Sequence, residues 1–318
     1  MQYAILTPQE LRELSKASGI HSLTSLALDW IAIIFLFLAA WYSQNLIIQL
    51  FCFIGIARQQ LALAILMHDG AHRRLFKSAN VNDLVCQFLC AGPLFFSMHS
   101  YQKLHLKHHR DPLAPDDPDF SLIGGYPISK RSFYRKLLRD ISGVSYFKFI
   151  RYFIYMARKP RASAHLNIKS EKGHAELNAQ GAGEKFGLTA ILSSILFSNF
   201  LIFSLFWYLD FKLGYFLFWF LPAVTALQVL LRIRGVAEHA GYQQELDQRL
   251  NARTLLPSWQ TFLFAPHNVN YHIEHHIYPS VPYYRLRKLH QIFVAKNQLP
   301  EKNLFKGYGE VLRDLLRE

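Results

Sequence analysis

The sequence predicts an all-α membrane protein: four transmembrane helices in two hairpins, a re-entrant or interfacial helix, and a cytoplasmic helical cap carrying a two-metal site. Three observations predict it. Four nearly charge-free apolar stretches come in two pairs, each pair joined by a turn of a few residues. The chain of 318 residues is 51% apolar and 15% aromatic, too apolar for an ordinary soluble domain. Three histidine clusters stand at helical spacing: HDGAH (His68 to His72), HLKHH (His105 to His109) and HIEHH (His272 to His276).

The elements follow in order. Residues 1–22 read as a soluble lead-in, with Thr7 to Glu10 (TPQE) fitting a capping box. Residues 23–42 are long enough to span a bilayer at about 1.5 Å per residue. Ser43, Gln44 and Asn45 make a turn, and residues 46–67 return and end at His68. Residues 81–98 are apolar but short, and Gly92-Pro93 breaks them, which predicts a re-entrant or interfacial helix. A full span there would put His99 to His109 across the membrane from His68. Pro112, Pro115 and Pro118 enforce a loop. Residues 130–158 mix bases with aromatic and aliphatic residues, as an amphipathic helix in the headgroup region does. Residues 161–183 are polar and predict a mobile loop. Spans at 187–209 and 211–231 turn at Asp210, and residues 232–318, with 99–186, form the cytoplasmic cap. No solenoid repeat interrupts the chain, which reads as one domain over residues 1–318.

The net charge of +13 would favour nucleic acid in a soluble protein, but its distribution points to a membrane instead. Sixteen Lys and Arg lie between His99 and Phe186 and twelve from Arg232 onward, whereas the turns at Ser43 and Asp210 carry only Lys212. That asymmetry places both termini and the histidine clusters in the cytoplasm, facing anionic headgroups; in a bacterium the membrane is the inner one. Cys52, Cys86 and Cys90 lie in apolar stretches and suit neither disulfides nor a thiolate metal site. The first apolar run is too late and too long for a cleaved signal peptide, so none is expected.

Imidazole is the commonest protein metal ligand, and rings three or four residues apart on a helix share a face. His68 and His72 can hold one metal. His105 lies on one face with His108 or His109, and His272 to His276 repeat that pattern. Eight histidines exceed the needs of one ion, so two are expected. His239, in RGVAEHAG, leaves the last span beside His68 and is a ninth candidate. His267 and Asn268 lie about one turn before His272 and are placed to approach a metal or its water. His21, His165, His174 and His290 read as surface residues. Asp69, Asp111, Asp116, Asp117, Asp119, Glu238 and Glu274 flank the clusters, and some of them, Asp69, Asp111, Asp116, Glu238 and Glu274 foremost, are expected to accept from the outer N–H of ligating rings. Asp116, Asp117 and Asp119 also fit a plain solvated Pro/Asp turn, and Arg253 is a candidate to balance such carboxylates. Arg58 interrupts the second span about ten residues before His68. A charge at that depth costs about 2.5–3.5 kcal/mol on insertion scales, so it faces the bundle interior. A substrate contact and a buried pair with a neighbour both fit it.

An HxxxH, an HxxHH and a distant HxxHH on two apolar hairpins resemble the integral-membrane fatty acid desaturase and hydroxylase superfamily. The segments RQQLALAILMHDGAHRRLF, LHLKHHRDP, RGVAEHAG and NVNYHIEHHIYPSVPYYRL resemble bacterial members, and the likeness runs from about Leu23 to His290. The resemblance implies a di-iron centre with His68, His72, His105, His108, His109, His239, His272, His275 and His276 as ligands, and Asn268 beside them. It implies O2 as co-substrate, a narrow hydrocarbon tunnel, and electrons from outside. No heme-binding cytochrome b5 signature is fused to the chain, so a separate ferredoxin-like or cytochrome b5-like donor with its reductase is expected.

Unactivated C–H bonds lie beyond acid–base chemistry, and iron suits both imidazole ligation and the redox step, which zinc does not. Fatty acyl desaturation is the favoured reaction; hydroxylation of a lipid, carotenoid or alkane-like chain is the alternative. A membrane zinc protease would need only HDGAH, read as HExxH with a shortened acid, and leaves the other histidines idle. A metal transporter would carry histidine as low-complexity tracts rather than spaced boxes.

Overall fold

The computed structural model describes residues 5–158, 188–242 and 248–318. The expected mobile loop at 161–183, with His165 and His174, lies outside the described residues. Helix α1 (Pro8–Leu14) carries the predicted capping box: Thr7 Oγ1 accepts from the Glu10 N–H (3.2 Å) and Glu10 Oε2 from the Thr7 N–H (2.7 Å). This segment is not a free lead-in. Ile5, Leu6 and Leu14 are buried against Tyr271, Ile273, Ile277 and Phe293, in a small core beneath the third histidine cluster.

Helices α2 (Gly19–Tyr42) and α3 (Leu46–Ala71) form the first hairpin. Asn45 caps α3, its Oδ1 accepting from Ile47 N–H at 2.8 Å, so three residues suffice to reverse the chain. Leu28, Ile31, Phe35 and Phe51 are exposed, as the flank of a span facing lipid must be, whereas α3 is the more enclosed helix of the pair.

Helix α4 (Ala79–Cys86) runs through a π turn (Gln87–Ala91) into a 3-10 turn (Gly92–Leu94). Beyond it the chain bends by 92° into α5 (Met98–Arg110). Pro93 cannot donate to the helix ladder, and Phe95 takes a left-handed conformation (φ 63°), so the break falls at the predicted Gly92-Pro93. Asn82 Nδ2 donates to the Gly70 carbonyl (2.9 Å) and Gln102 Nε2 to the Ala71 carbonyl (2.7 Å). These bonds satisfy last-turn carbonyls of α3 and fix α4 and α5 at the end where His68 emerges. Gly70 permits the approach: a Cβ there would lie 2.7 Å from Cys86 Sγ.

The predicted amphipathic segment is two helices, α6 (Lys130–Ile141) and α7 (Val144–Arg158), divided at Gly143, whose φ of 79° suits glycine. Exposed Tyr134, Leu138, Ile141 and Phe147 interleave with the bases. Helix α8 (Leu188–Tyr208) turns at Asp210 into α9 (Lys212–His239), the second hairpin. The last helix outruns its predicted end at residue 231 by two turns, which carries His239 on the same rod as the span. Asp140 on α6 and Arg232 on α9 form a buried ion pair, with Arg232 Nη2 donating to Asp140 Oδ1 at 3.1 Å.

The C-terminal part closes over the helix ends with α10 (Trp259–Phe264), α11 (His272–Ile277), α12 (Leu286–Ala295) and α13 (Tyr308–Leu315). Two parallel pairs of two-residue strands tie it down: β1 (Ile128–Ser129) with β4 (Leu316–Arg317), and β2 (Thr254–Leu255) with β3 (Leu304–Phe305). Arg253 does not reach Asp116, Asp117 or Asp119 with any ion pair among the described residues; the carboxylate whose charge it feels is that of Asp314. Arg253 Nη2 donates to the Ala240 carbonyl at 2.6 Å, at the end of α9, and its guanidinium lies over the Tyr242 ring at 4.2 Å.

Candidate metal centre

The three clusters and His239 converge at one end of the four spans, as the bent segment after α4 requires. Helix α3 contributes His68 and, at its C-cap, His72; α5 contributes His105, His108 and His109; α9 contributes His239; α11 contributes His272, His275 and His276. The rings sort into two adjacent pockets. In one, ligand atoms of His68, His105, His109 and His275 lie within 4.8 Å of one another, and His72 Nε2 reaches His105 Nε2 at 2.9 Å. In the other, Nε2 atoms run from His108 to His239 (3.2 Å), to His272 (2.8 Å), to His276 (3.2 Å). The ring centroids of His109 and His276 are 4.1 Å apart, so the pockets adjoin.

This arrangement fits metal ions better than it fits metal-free imidazoles. His108 Nδ1 faces Asp117 (3.0 and 3.1 Å) and His239 Nδ1 faces the Asn251 carbonyl (2.8 Å), both acceptors. Each neutral ring therefore carries its proton on Nδ1 and presents an Nε2 lone pair, and those lone pairs meet at 3.2 Å. Two nitrogens bound to one cation at about 2.0–2.1 Å stand about 3 Å apart. His68 Nε2 is buried and has no hydrogen-bond partner among the described residues. For five of the rings the protonation energetics agree with this. Burial holds His105, His109, His272, His275 and His276 well below the usual imidazole range, in the neutral form a metal needs. Burial also pulls on His108, but its bond to Asp117 and the charges of Asp119 and Glu238 prevail and raise it.

Among the flanking carboxylates, the structure selects only some. Asp117 holds His108, and its oxygens also accept from Leu113 N–H (2.8 Å) and Asp119 N–H (2.9 Å), which locks the loop after α5. Asp116 instead points outward to Lys107 at 2.8 Å, with its side chain 67% exposed. Asp111 is the C-cap residue of α5, and Asp69 faces the Tyr283 backbone. Glu274 is buried but turns away from the metal-facing nitrogens, accepting from Thr254 Oγ1 and pairing with His290 Nδ1 at 2.5 Å. His290 is therefore not a surface histidine, while His21 is exposed and stacks on Tyr284. Glu238 does reach the centre, with Oε2 3.6 Å from His272 Nε2.

Asn268 and His267 sit in a short turn with left-handed backbone at both residues (φ 58° and 56°). His267 Nε2 bonds Asp29 Oδ2 (2.8 Å) and Asn268 Nδ2 donates to the Tyr283 carbonyl (3.3 Å), so the amide is engaged in the wall. Arg58 is half-buried, as a charge inside the bundle should be, but its Nε donates to the Phe262 carbonyl (3.1 Å) and its guanidinium lies 4.9 Å from the Phe262 ring centroid. It ties α3 to α10. Sequence reasoning also missed Tyr101, whose ring stacks on His105 at 5.4 Å with a 7° interplanar angle. Tyr101 lies one turn before His105, a spacing visible in the chain.

Fold and site together define a class: a helical membrane protein with a buried, histidine-lined centre that could hold metal at one end of its spans. The chain belongs to the fatty acid desaturase family, whose sequence profile matches residues 40–307, and it is an oxidoreductase. It is 24% identical to the dihydrorhizobitoxine desaturase of Bradyrhizobium elkanii over 80% of this chain and 68% of that protein. It is 24% identical to the sn-1 oleoyl-lipid 12-desaturase of Synechocystis over 86% and 74% of the respective chains. The sn-1 acyl-lipid omega-3 desaturase (ferredoxin) of the same organism is 25% identical over 71% and 62%.

Proposed function

We propose that this protein is an O2-dependent di-iron desaturase that converts a –CH2–CH2– unit of a fatty acyl chain to –CH=CH–. The observation that carries the reading is the sorting of nine imidazoles into two adjoining pockets, eight of them with ring nitrogens 2.8–3.2 Å apart and His68 within 4.8 Å of its neighbours. Iron held there supplies the redox chemistry of dioxygen cleavage and removal of hydrogen from an unactivated C–H bond. The reaction balances as substrate, O2, two electrons and two protons giving alkene and two waters.

The protein's own part is binding, orientation and exclusion of water. His68, His72, His105, His109 and His275 would hold one iron, and His108, His239, His272 and His276 the other. Asp117 and the Asn251 carbonyl fix the tautomers of His108 and His239, so that Nε2 is the donor atom in each. The packed ends of α3, α5 and α9 bury the histidines and so keep the centre out of bulk water. The two electrons come from a separate ferredoxin-like or cytochrome b5-like donor with its reductase. The distribution of Lys and Arg supports an orientation with both termini and the centre in the cytoplasm.

The test is expression in a host lacking such enzymes, with the purified protein assayed for iron and the host lipids profiled by mass spectrometry. About two irons per chain and a new double bond are expected. A main product bearing an 18O-labelled hydroxyl from 18O2 would replace desaturation with hydroxylation. Iron-free protein with full activity would end the di-iron reading.

A further inference from the structure

We propose that Glu238 is itself a metal ligand, completing the pocket of His108, His239, His272 and His276 with a carboxylate oxygen. The proposal deepens the two-metal reading above and rests on it. Without Glu238 the two pockets are unequal, five imidazoles against four. Glu238, His239 and His272 offer ligand atoms within 4.8 Å of one another, and Glu238 is 1% exposed.

The decisive feature is which nitrogen the carboxylate faces. A carboxylate that merely orients a ligating ring takes the N–H on the far side, as Asp117 does at His108 Nδ1 (3.0 Å). Glu238 Oε2 instead lies 3.6 Å from His272 Nε2, the same nitrogen that meets His239 Nε2 at 2.8 Å and His276 Nε2 at 3.2 Å. Three nitrogens and one oxygen thus converge on the inner side of the rings. The other oxygen, Oε1, accepts from Arg234 Nε at 2.8 Å, one helical turn back on α9. That bond leaves Oε2 turned inward and balances the buried charge on the Arg234 side. The register is forced by the chain. Residues 238 and 239 are neighbours at the last turn of α9, and the helix end is pinned by Arg253 on the Ala240 carbonyl at 2.6 Å. The two ions are consequently inequivalent: one meets five neutral nitrogens, the other four nitrogens and an anion.

The experiment is a Co(II) titration of metal-depleted full-length protein in detergent, for wild type, Glu238→Gln and Glu238→Asp, read by absorption and by bound metal per chain. Wild type takes up two ions. Glu238→Gln retains the first and binds the second more than about 100-fold more weakly, beyond the roughly 10–100-fold cost of losing an outer hydrogen-bond partner. The absorption of that second ion changes with its coordination number. Glu238→Asp, which keeps a carboxylate, recovers part of the loss. Infrared difference spectra of wild type labelled with [13C]glutamate, metal-free against loaded, show a shifted carboxylate band that does not depend on any variant folding. Two ions bound by Glu238→Gln with wild-type affinity and spectrum, or no labelled band in wild type, overturn the proposal. A wild type that binds no metal overturns the two-metal reading instead.

Discussion

Asp117 offers the sharpest test of how the centre is held. Its carboxylate is buried, lies 3.0 and 3.1 Å from His108 Nδ1, and also accepts two backbone N–H groups at 2.8 and 2.9 Å. Asp117→Asn keeps the size and removes the charge. Only one amide oxygen remains to accept, and the amide N–H2 must face at least one donor. The loss of a charge-assisted bond costs about 1.5–3 kcal/mol. Transmitted to the metal through His108, that corresponds to about 10–100-fold in affinity, or about 1.4–2.7 kcal/mol. The assay is a metal titration of depleted protein in detergent, with circular dichroism to verify the fold. Asp116→Asn is the control: Asp116 is mostly exposed on Lys107, so its loss leaves metal affinity unchanged. Wild-type affinity in Asp117→Asn, or equal losses in both variants, would refute the assignment of Asp117 as the residue that positions His108.

Three further outcomes are expected. Acidification destabilises the metal-free protein: His105, His109, His272, His275 and His276 have lowered values in the fold, so below about 6.5 the unfolded chain binds protons the folded one does not. His108 and Asp119, both raised in the fold, have the opposite sign, but they are two groups against five. Melting temperatures falling from pH 7.5 to 5.5 agree with this; a rise contradicts it. Gly70→Ala drives a Cβ to 2.7 Å from Cys86 Sγ and costs about 1–3 kcal/mol by overpacking, part of which Cys86→Ala restores in the double variant; denaturant unfolding measures both. Asp140→Leu or Arg232→Leu strands a buried charge and costs about 3–5 kcal/mol, whereas the double leucine variant recovers most of it. A simple sum of the two losses in the double variant would show that the pair is not coupled.

The sequence by itself determined the spans and most of the histidine constellation, because both are periodic. Apolar runs of bilayer length, the Asn45 and Asp210 turns and the Gly92-Pro93 break are written in adjacent residues, and their outcome follows from backbone chemistry alone. HxxxH and HxxHH spacing puts rings on one helix face whatever surrounds it. His239 was legible too, since a helix leaving the membrane at a known end must emerge beside His68.

The tertiary structure decided which ring joins which pocket and which polar group holds each ring. His108 and His109 are neighbours in sequence yet serve different pockets, because consecutive helix positions diverge by about 100°. Asp117 rather than Asp116 supports His108 because the loop after α5 wraps the N–H groups of Leu113 and Asp119 onto the Asp117 carboxylate, whereas Asp116 lies on Lys107 at the surface. Asn82, Gln102 and Arg253 cap ligand-bearing helices from distant segments, and Arg58 was taken up by a carbonyl 204 residues away. Such contacts carry no local period. They exist only once separate stretches of chain are packed together, when each buried donor must find the acceptor that happens to lie beside it.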